Sequence, residues 1–114
     1  MIEYYIKKKD LQTLKVIYFI GLLDDYRDII KDNYIYVCFF QIDEISKYCN
    51  LSTKEIIQIL KKMTEKSIEI EDTQYGIVKY IPTISYISIN SIQNQIKIHI
   101  YYNIYNKFRE LTQK

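Results

Sequence analysis

A short stretch of the chain has residue types and spacings suited to contact with a polyanion. Ser52, Thr53 and Lys54 stand together at an apparent helix start, where free backbone amides and the helix dipole favour a phosphate. Gln58, Lys61 and Lys62 follow one to two turns later, and Lys66 closes the stretch. A glutamine amide offers a donor and an acceptor that match an adenine edge. Lysines bind phosphates as point charges, with an affinity that falls as salt rises. An ordinary solvated helix face has the same residues, so the surrounding elements must decide between the two.

Those elements point to two helices joined by a tight turn. Ser52 and Glu55 form a capping box, in which hydroxyl and carboxylate each satisfy the other residue's amide. Behind it, Ile56, Ile59, Leu60 and Met63 recur at helical spacing. Ile42, Ile45 and Tyr48 define a shorter amphipathic piece upstream. Asn50 falls where the chain must turn and tolerates a left-handed backbone. This predicts a helix-turn-helix over about 42–66. A hairpin follows over about 68–81, with strands Ile68–Glu71 and Ile77–Ile81 around a loop at Asp72–Gly76. Gly76 supplies a positive φ there, and Pro82 bends the strand beyond. A helix-turn-helix followed directly by a hairpin is a winged helix. The expected class is therefore α+β: a winged helix-turn-helix with an extra C-terminal β-hairpin and helix.

The flanking segments fill in that plan. Ile2–Ile6 reads as an edge strand, and Asp10 as the N-cap of a helix from Leu11 to about Arg27. That helix is apolar around most of its circumference, as expected of a central core helix or of a contact between subunits. Asp32–Asn33 marks a turn before a β-rich segment, Tyr34–Phe39. Ile84–Asn90 and Gln95–Ile100 form the second hairpin; Ile96, Ile98 and Ile100 alternate with Lys97 and His99, so His99 is expected to face solvent. A last helix presents Tyr101, Ile104, Tyr105, Phe108 and Leu111 on one stripe.

Bulk properties narrow the classes. The chain has 114 residues, which suits one domain over 1–114, and its 48% hydrophobic content excludes a disordered chain. A formal charge of +2 leaves any nucleic-acid footprint to local clusters, such as Lys7–Lys9 and the lysines of 54–66. The acidic segment Asp24–Asp32 reads as a solvated face. Cys38 and Cys49 lack metal-ligand spacing and read as small buried hydrophobes. With a single histidine and no glycine-rich phosphate loop, HExxH or nucleophile elbow, the sequence predicts no catalytic residue, no metal, no cofactor and no enzyme. The N-terminus lacks a signal peptide, and the longest apolar run, Val16–Leu23, is too short to cross a bilayer, so a cytoplasmic protein with no membrane partner is expected.

In order and spacing the chain resembles the first winged-helix domain of the plasmid replication initiators of the RepA/RepE/Pi type. The resemblance spans nearly all of it and rests on DLQTLKVIYFIGLL, on ISKYCNLSTKEIIQILKKMTEKSIEIE and on the tail IPTISYISINSIQNQIKIHIYYNIYNKF. The chain departs from the family's pattern at Asn50, where glycine is common in the turn, from a generic winged helix at Ser67, where glycine is often found, and at Gln41, a weaker helix cap than the usual serine or threonine. Those initiators also have a second winged-helix domain, which would begin where this chain ends. The resemblance implies binding to double-stranded DNA, a homodimer, a role in replication initiation or its control, and host replication proteins as further candidate partners. Two other readings compete: a homodimerisation module with little intrinsic DNA binding, and a small winged-helix transcriptional regulator.

Overall fold

Alternation in β7 (Gln95–Tyr101) organises the main sheet: Ile96, Ile98 and Ile100 are fully buried, while Lys97 and His99 on the other face are half-buried. In the computed structural model, residues 4–6, 11–24, 26–65, 68–72, 74, 76–80 and 84–113 are described, with only the backbone of the strands at 4–6, 68–72 and 77–80. They form a mixed α+β structure of four helices and two antiparallel sheets. Asp10, Lys7–Lys9, Asp25, Ser67 and Pro82, which figure in the sequence reading, lie outside the described residues.

The four-stranded sheet has the order β2 (Ile29–Asp32), β3 (Ile35–Gln41), β7, β6 (Tyr86–Asn90). Its two hairpins are topologically equivalent. Each inner strand runs without a loop into a helix: β3 into α2 (Ile42–Cys49) and β7 into α4 (Tyr102–Thr112). Since β3 and β7 are antiparallel, with Gln41 opposite Gln95 and Ile35 opposite Tyr101, the helices start at opposite ends of the pair. Neither helix has a side-chain cap at its start, Gln41 or Tyr101. The turn of the other hairpin serves instead. Ile42 N–H donates to the Asn94 carbonyl at 2.9 Å, and Tyr102 N–H to the Tyr34 carbonyl at 2.8 Å. Both turns use a left-handed asparagine, Asn33 (φ 50°) and Asn94 (φ 55°), a conformation that asparagine tolerates better than most L-residues. The weak cap expected at Gln41 is thus offset by a partner distant in sequence.

The first helix, α1 (Leu11–Gly21), ends well short of Arg27. Beyond it the chain folds on its own polar groups. Asp24 Oδ1 accepts from the amides of Tyr26 and Arg27 at 2.8 and 3.1 Å, and Asp28 Oδ2 accepts from the Asp24 amide at 2.9 Å. Such short-range carboxylate contacts offer the backbone an alternative to helix. The rest of the supposed acidic face is β2, a strand absent from the sequence reading. Strand β3 also runs beyond Phe39 to Gln41. Helix α1 packs against α2, α3 (Thr53–Glu65) and α4, with Val16, Ile17 and Ile20 fully buried and Leu11 exposed, so it contributes to the core as expected. Gly21 marks its closest approach to α4, since a Cβ there would lie 2.6 Å from the Phe108 carbonyl oxygen. Arg109 Nη1 locks the crossing by donating to the Leu23 carbonyl at 2.9 Å and to the Tyr105 hydroxyl at 2.7 Å.

A second sheet has the order β1 (Tyr4–Ile6), β4 (Ile68–Asp72), β5 (Gly76–Tyr80). Ile2–Ile6 thus contributes an edge strand, as expected, and β4 and β5 match the expected hairpin with Asp72 opposite Gly76. Gly76 takes the positive φ (78°) that its loop requires. Neither cysteine is in a disulfide and both are fully buried, as expected of small core residues. On the last helix Ile104, Tyr105, Phe108 and Leu111 are buried, whereas Tyr101 belongs to β7 and stands 40% exposed.

Candidate nucleic-acid interface

Helices α2 and α3 are set by the turn at Asn50–Ser52. Asn50 adopts φ 54° and ψ 46°; its N–H donates to the Lys47 carbonyl, and the Leu51 N–H to the Ser46 carbonyl at 3.1 Å. This is a Schellman stop, closed by an asparagine where glycine is usual. The Ser46 hydroxyl adds a bond to the Leu51 carbonyl, and the half-buried Leu51 side chain packs on the core. The turn's backbone groups and Leu51 thereby set the angle at which α3 leaves. Lys15 of α1 reaches in from below, its Nζ 3.5 Å from the Cys49 carbonyl, and brings a cation to the negative end of α2. Burial pushes the Cys49 thiol up, and nearby Lys15 only partly counters this, so the thiol stays protonated at neutral pH.

The start of α3 is the expected capping box. Glu55 N–H donates to Ser52 Oγ at 3.1 Å, and Ser52 N–H to Glu55 Oε1 at 3.2 Å. A carboxylate therefore already sits at the end where a phosphate was expected, and Ser52 is committed to the cap. Its candidate role as a direct phosphate ligand is the weakest of the set for that reason. Ile56, Ile59, Leu60 and Met63 are buried, which turns the opposite side outward. On that side Lys54, Gln58, Lys61 and Lys62 are all exposed; Thr53, in the first turn and nearer the buried stripe, is exposed as well. Among the described residues, none of Lys54, Lys61 and Lys62 forms an ion pair. From Lys54 to Lys62 the helix rises about 12 Å, comparable to the width of a DNA major groove. Lys66 lies outside the described residues.

Other groups temper this surface. Glu55 and Glu65 share α3 with its lysines, and exposed Asp43 and Glu44 open α2. Lys47, exposed in the last turn of α2, stands next to the turn and adds a cation that sequence reading left out. Its signal was available: a lysine three residues before the turn of a helix pair. The hairpin expected to act as a wing has Lys79 opposite Glu69 in register, and its described loop residues Gln74 and Gly76 are exposed and uncharged. His99 is half-buried, its ring edge-on to Tyr86 with centroids 5.0 Å apart, so it only partly faces solvent.

Among the described residues no group of three or more His, Cys, Asp or Glu side chains is placed to hold a metal ion, and no helix is long and apolar enough to cross a membrane. No protein-family model, curated protein or solved structure matches the chain.

Proposed function

We propose that the chain is a DNA-binding winged-helix domain that acts in replication initiation or its control, in the manner its resemblance to the plasmid initiators implies. The observation that supports this most is the outward face of α3. It presents Lys54, Lys61 and Lys62, unpaired among the described residues, beside Gln58, on a helix held by the Schellman turn and the capping box. In this reading α2 and α3 are the helix-turn-helix and the β4–β5 hairpin is the wing. The lysines grip phosphates on either side of the major groove, and Gln58 faces the base edges. Phosphate contacts provide most of the affinity, so binding is modest and salt-sensitive. The protein works as a non-catalytic, cytoplasmic DNA binder, and a homodimer supplements a single weak contact surface. The rival reading is a self-association module; the packing of α1 against three other helices, with Val16, Ile17 and Ile20 fully buried, favours the DNA reading over one built on that helix.

The test is duplex binding as a function of salt for the wild type and for Lys61→Gln/Lys62→Gln. Each lost phosphate contact flattens the slope of log K against log[salt] by about 0.9. The double variant should lose about 1.8 in slope and keep its oligomeric mass. Duplex affinity that is absent at low salt, or a slope unchanged in the variant, removes the proposal.

A further inference from the structure

The four-stranded sheet turns one face to the core, where Cys38, Ile96, Ile98 and Ile100 are fully buried. Its other face stands open. There Tyr86 and Tyr101 are 52% and 40% exposed, and Phe39, Lys97 and His99 are only half-buried. The registers place these side chains in rows across the strands. Phe39, Lys97 and Ser88 form one row; Val37, His99 and Tyr86 form the next. Tyr101 lies two residues beyond His99 on β7, about 7 Å along the strand. The face thus combines aromatic rings on both middle strands and on an edge strand with a cation near its centre. Its acids among the described residues stand at the β2 edge: Asp32 at a corner, opposite Ile35, and Asp28 just before the strand, opposite Phe39 and bonded to Arg27.

We propose that this open sheet face binds single-stranded nucleic acid, stacking unpaired bases on Tyr86, Tyr101 and Phe39 and taking a backbone phosphate on Lys97. The charge pattern selects this ligand. Among the described residues Lys97 makes no ion pair, and the carboxylate in its row, Asp28 opposite Phe39, lies two strands away and is already held by Arg27 and the Asp24 amide. A phosphate supplies the missing charge. Unpaired bases suit the face better than a duplex, because duplex bases are stacked on each other and hide their π-faces, whereas unpaired bases offer them to exposed rings. The site is separate from α3 and stands without the duplex reading.

The experiment measures fluorescence anisotropy of labelled oligothymidylate, of oligouridylate and of a duplex, each against the full chain. The protein variants are wild type, Tyr86→Ala, Lys97→Gln, and Lys61→Gln/Lys62→Gln. Circular dichroism and light scattering accompany each. The sheet variants should bind single strands at least about tenfold more weakly while duplex binding stays within twofold. The α3 variant should show the reverse. A preference between the two oligonucleotides identifies DNA or RNA as the natural strand. With no tryptophan among 13 tyrosines, quenching of tyrosine emission by the unlabelled oligonucleotide reports stacking directly, and that signal should shrink in Tyr86→Ala. Wild-type affinity for single strands in folded Tyr86→Ala and Lys97→Gln overturns the proposal. So does a wild-type dimer that either sheet variant converts to monomers, since the face is then an interface between copies. If Tyr86→Ala fails to fold, Lys97→Gln and the quenching of the wild type decide the matter.

Discussion

Replacing Gly21 by alanine sets two known effects against each other. A glycine inside a helix costs up to about 1 kcal/mol relative to alanine, so propensity alone favours the change. The crossing of α1 and α4 opposes it. An added Cβ would meet the Phe108 carbonyl oxygen at 2.6 Å and Thr112 Cγ2 at 2.7 Å. The nearer atom is backbone, in the middle of a helix whose Phe108 side chain is fully buried, so it cannot swing aside as a side chain would. Relief requires the two helices to part by roughly half an ångström or more, and overpacking of that kind costs about 1–3 kcal/mol. The steric effect exceeds the propensity gain, leaving a net loss of about 0.5–2 kcal/mol and a fall in Tm of roughly 2–8 °C. Urea unfolding followed by circular dichroism measures it, with an unchanged m-value as the sign that only stability moved. Adding Thr112→Ser removes the methyl and keeps the hydroxyl that donates to the Arg109 carbonyl at 2.7 Å, so it should recover part of the loss, not all. A Gly21→Ala protein more stable than wild type would refute the close approach of α1 to α4 and the packing argument built on it.

Ser52→Ala removes the acceptor that caps α3 and should cost about 1 kcal/mol in urea unfolding, while Asn50→Gly, which keeps the left-handed stop, should be neutral or mildly stabilising. Backbone bonds from Tyr26 and Arg27, the larger causes, together with the nearby Arg27 and Arg109 charges, hold the Asp24 carboxyl below the usual carboxylate range. A depressed folded-state pKa means stability that is present above the unfolded value of about 3.9 and lost as pH falls through the folded value. The turn after α1 should therefore loosen only in acid, and carboxyl NMR titration should find Asp24 among the more acidic aspartates; a midpoint at or above the unfolded value would contradict the turn geometry. Cys49, protonated and buried, should react with a thiol reagent no faster than the protein unfolds, whereas prompt labelling of the native protein would show that it is accessible.

Much of the local structure was legible in the chain because it depends on neighbours in sequence. The Ser52–Glu55 box, the left-handed Asn50, the stripe behind Ile56 and the alternation in β7 are patterns of a few residues, and each appears where those patterns place it. Errors arose where contacts close at a distance. The run from Leu11 looked helical to Arg27 because apolar periodicity does not register a turn held by Asp24 and Asp28, and the strand after it shows only once Ile29 is paired with Cys38. The candidate site was half legible for a similar reason. Side-chain spacing on α3 put Lys54, Gln58, Lys61 and Lys62 outward, but only the folded cap shows that the Glu55 carboxylate already occupies the helix end intended for a phosphate.

By itself, then, the sequence determined the helix–turn–helix order, its caps and the two later hairpins, because propensity, capping and alternation act within a turn or two. The tertiary structure alone decided that the two hairpin–helix units share one sheet in the order β2-β3-β7-β6, and that each helix start draws its partner from the opposite turn. It alone also decided that α1 packs against three other helices while one sheet face is left open. Those outcomes depend on which strands meet across long loops, and a strand's edge carries the same hydrogen-bonding groups whatever its side chains. Residues such as Tyr86, Lys97 and Tyr101 therefore acquire a common face only when β6 and β7 are paired and the helices have taken the other side.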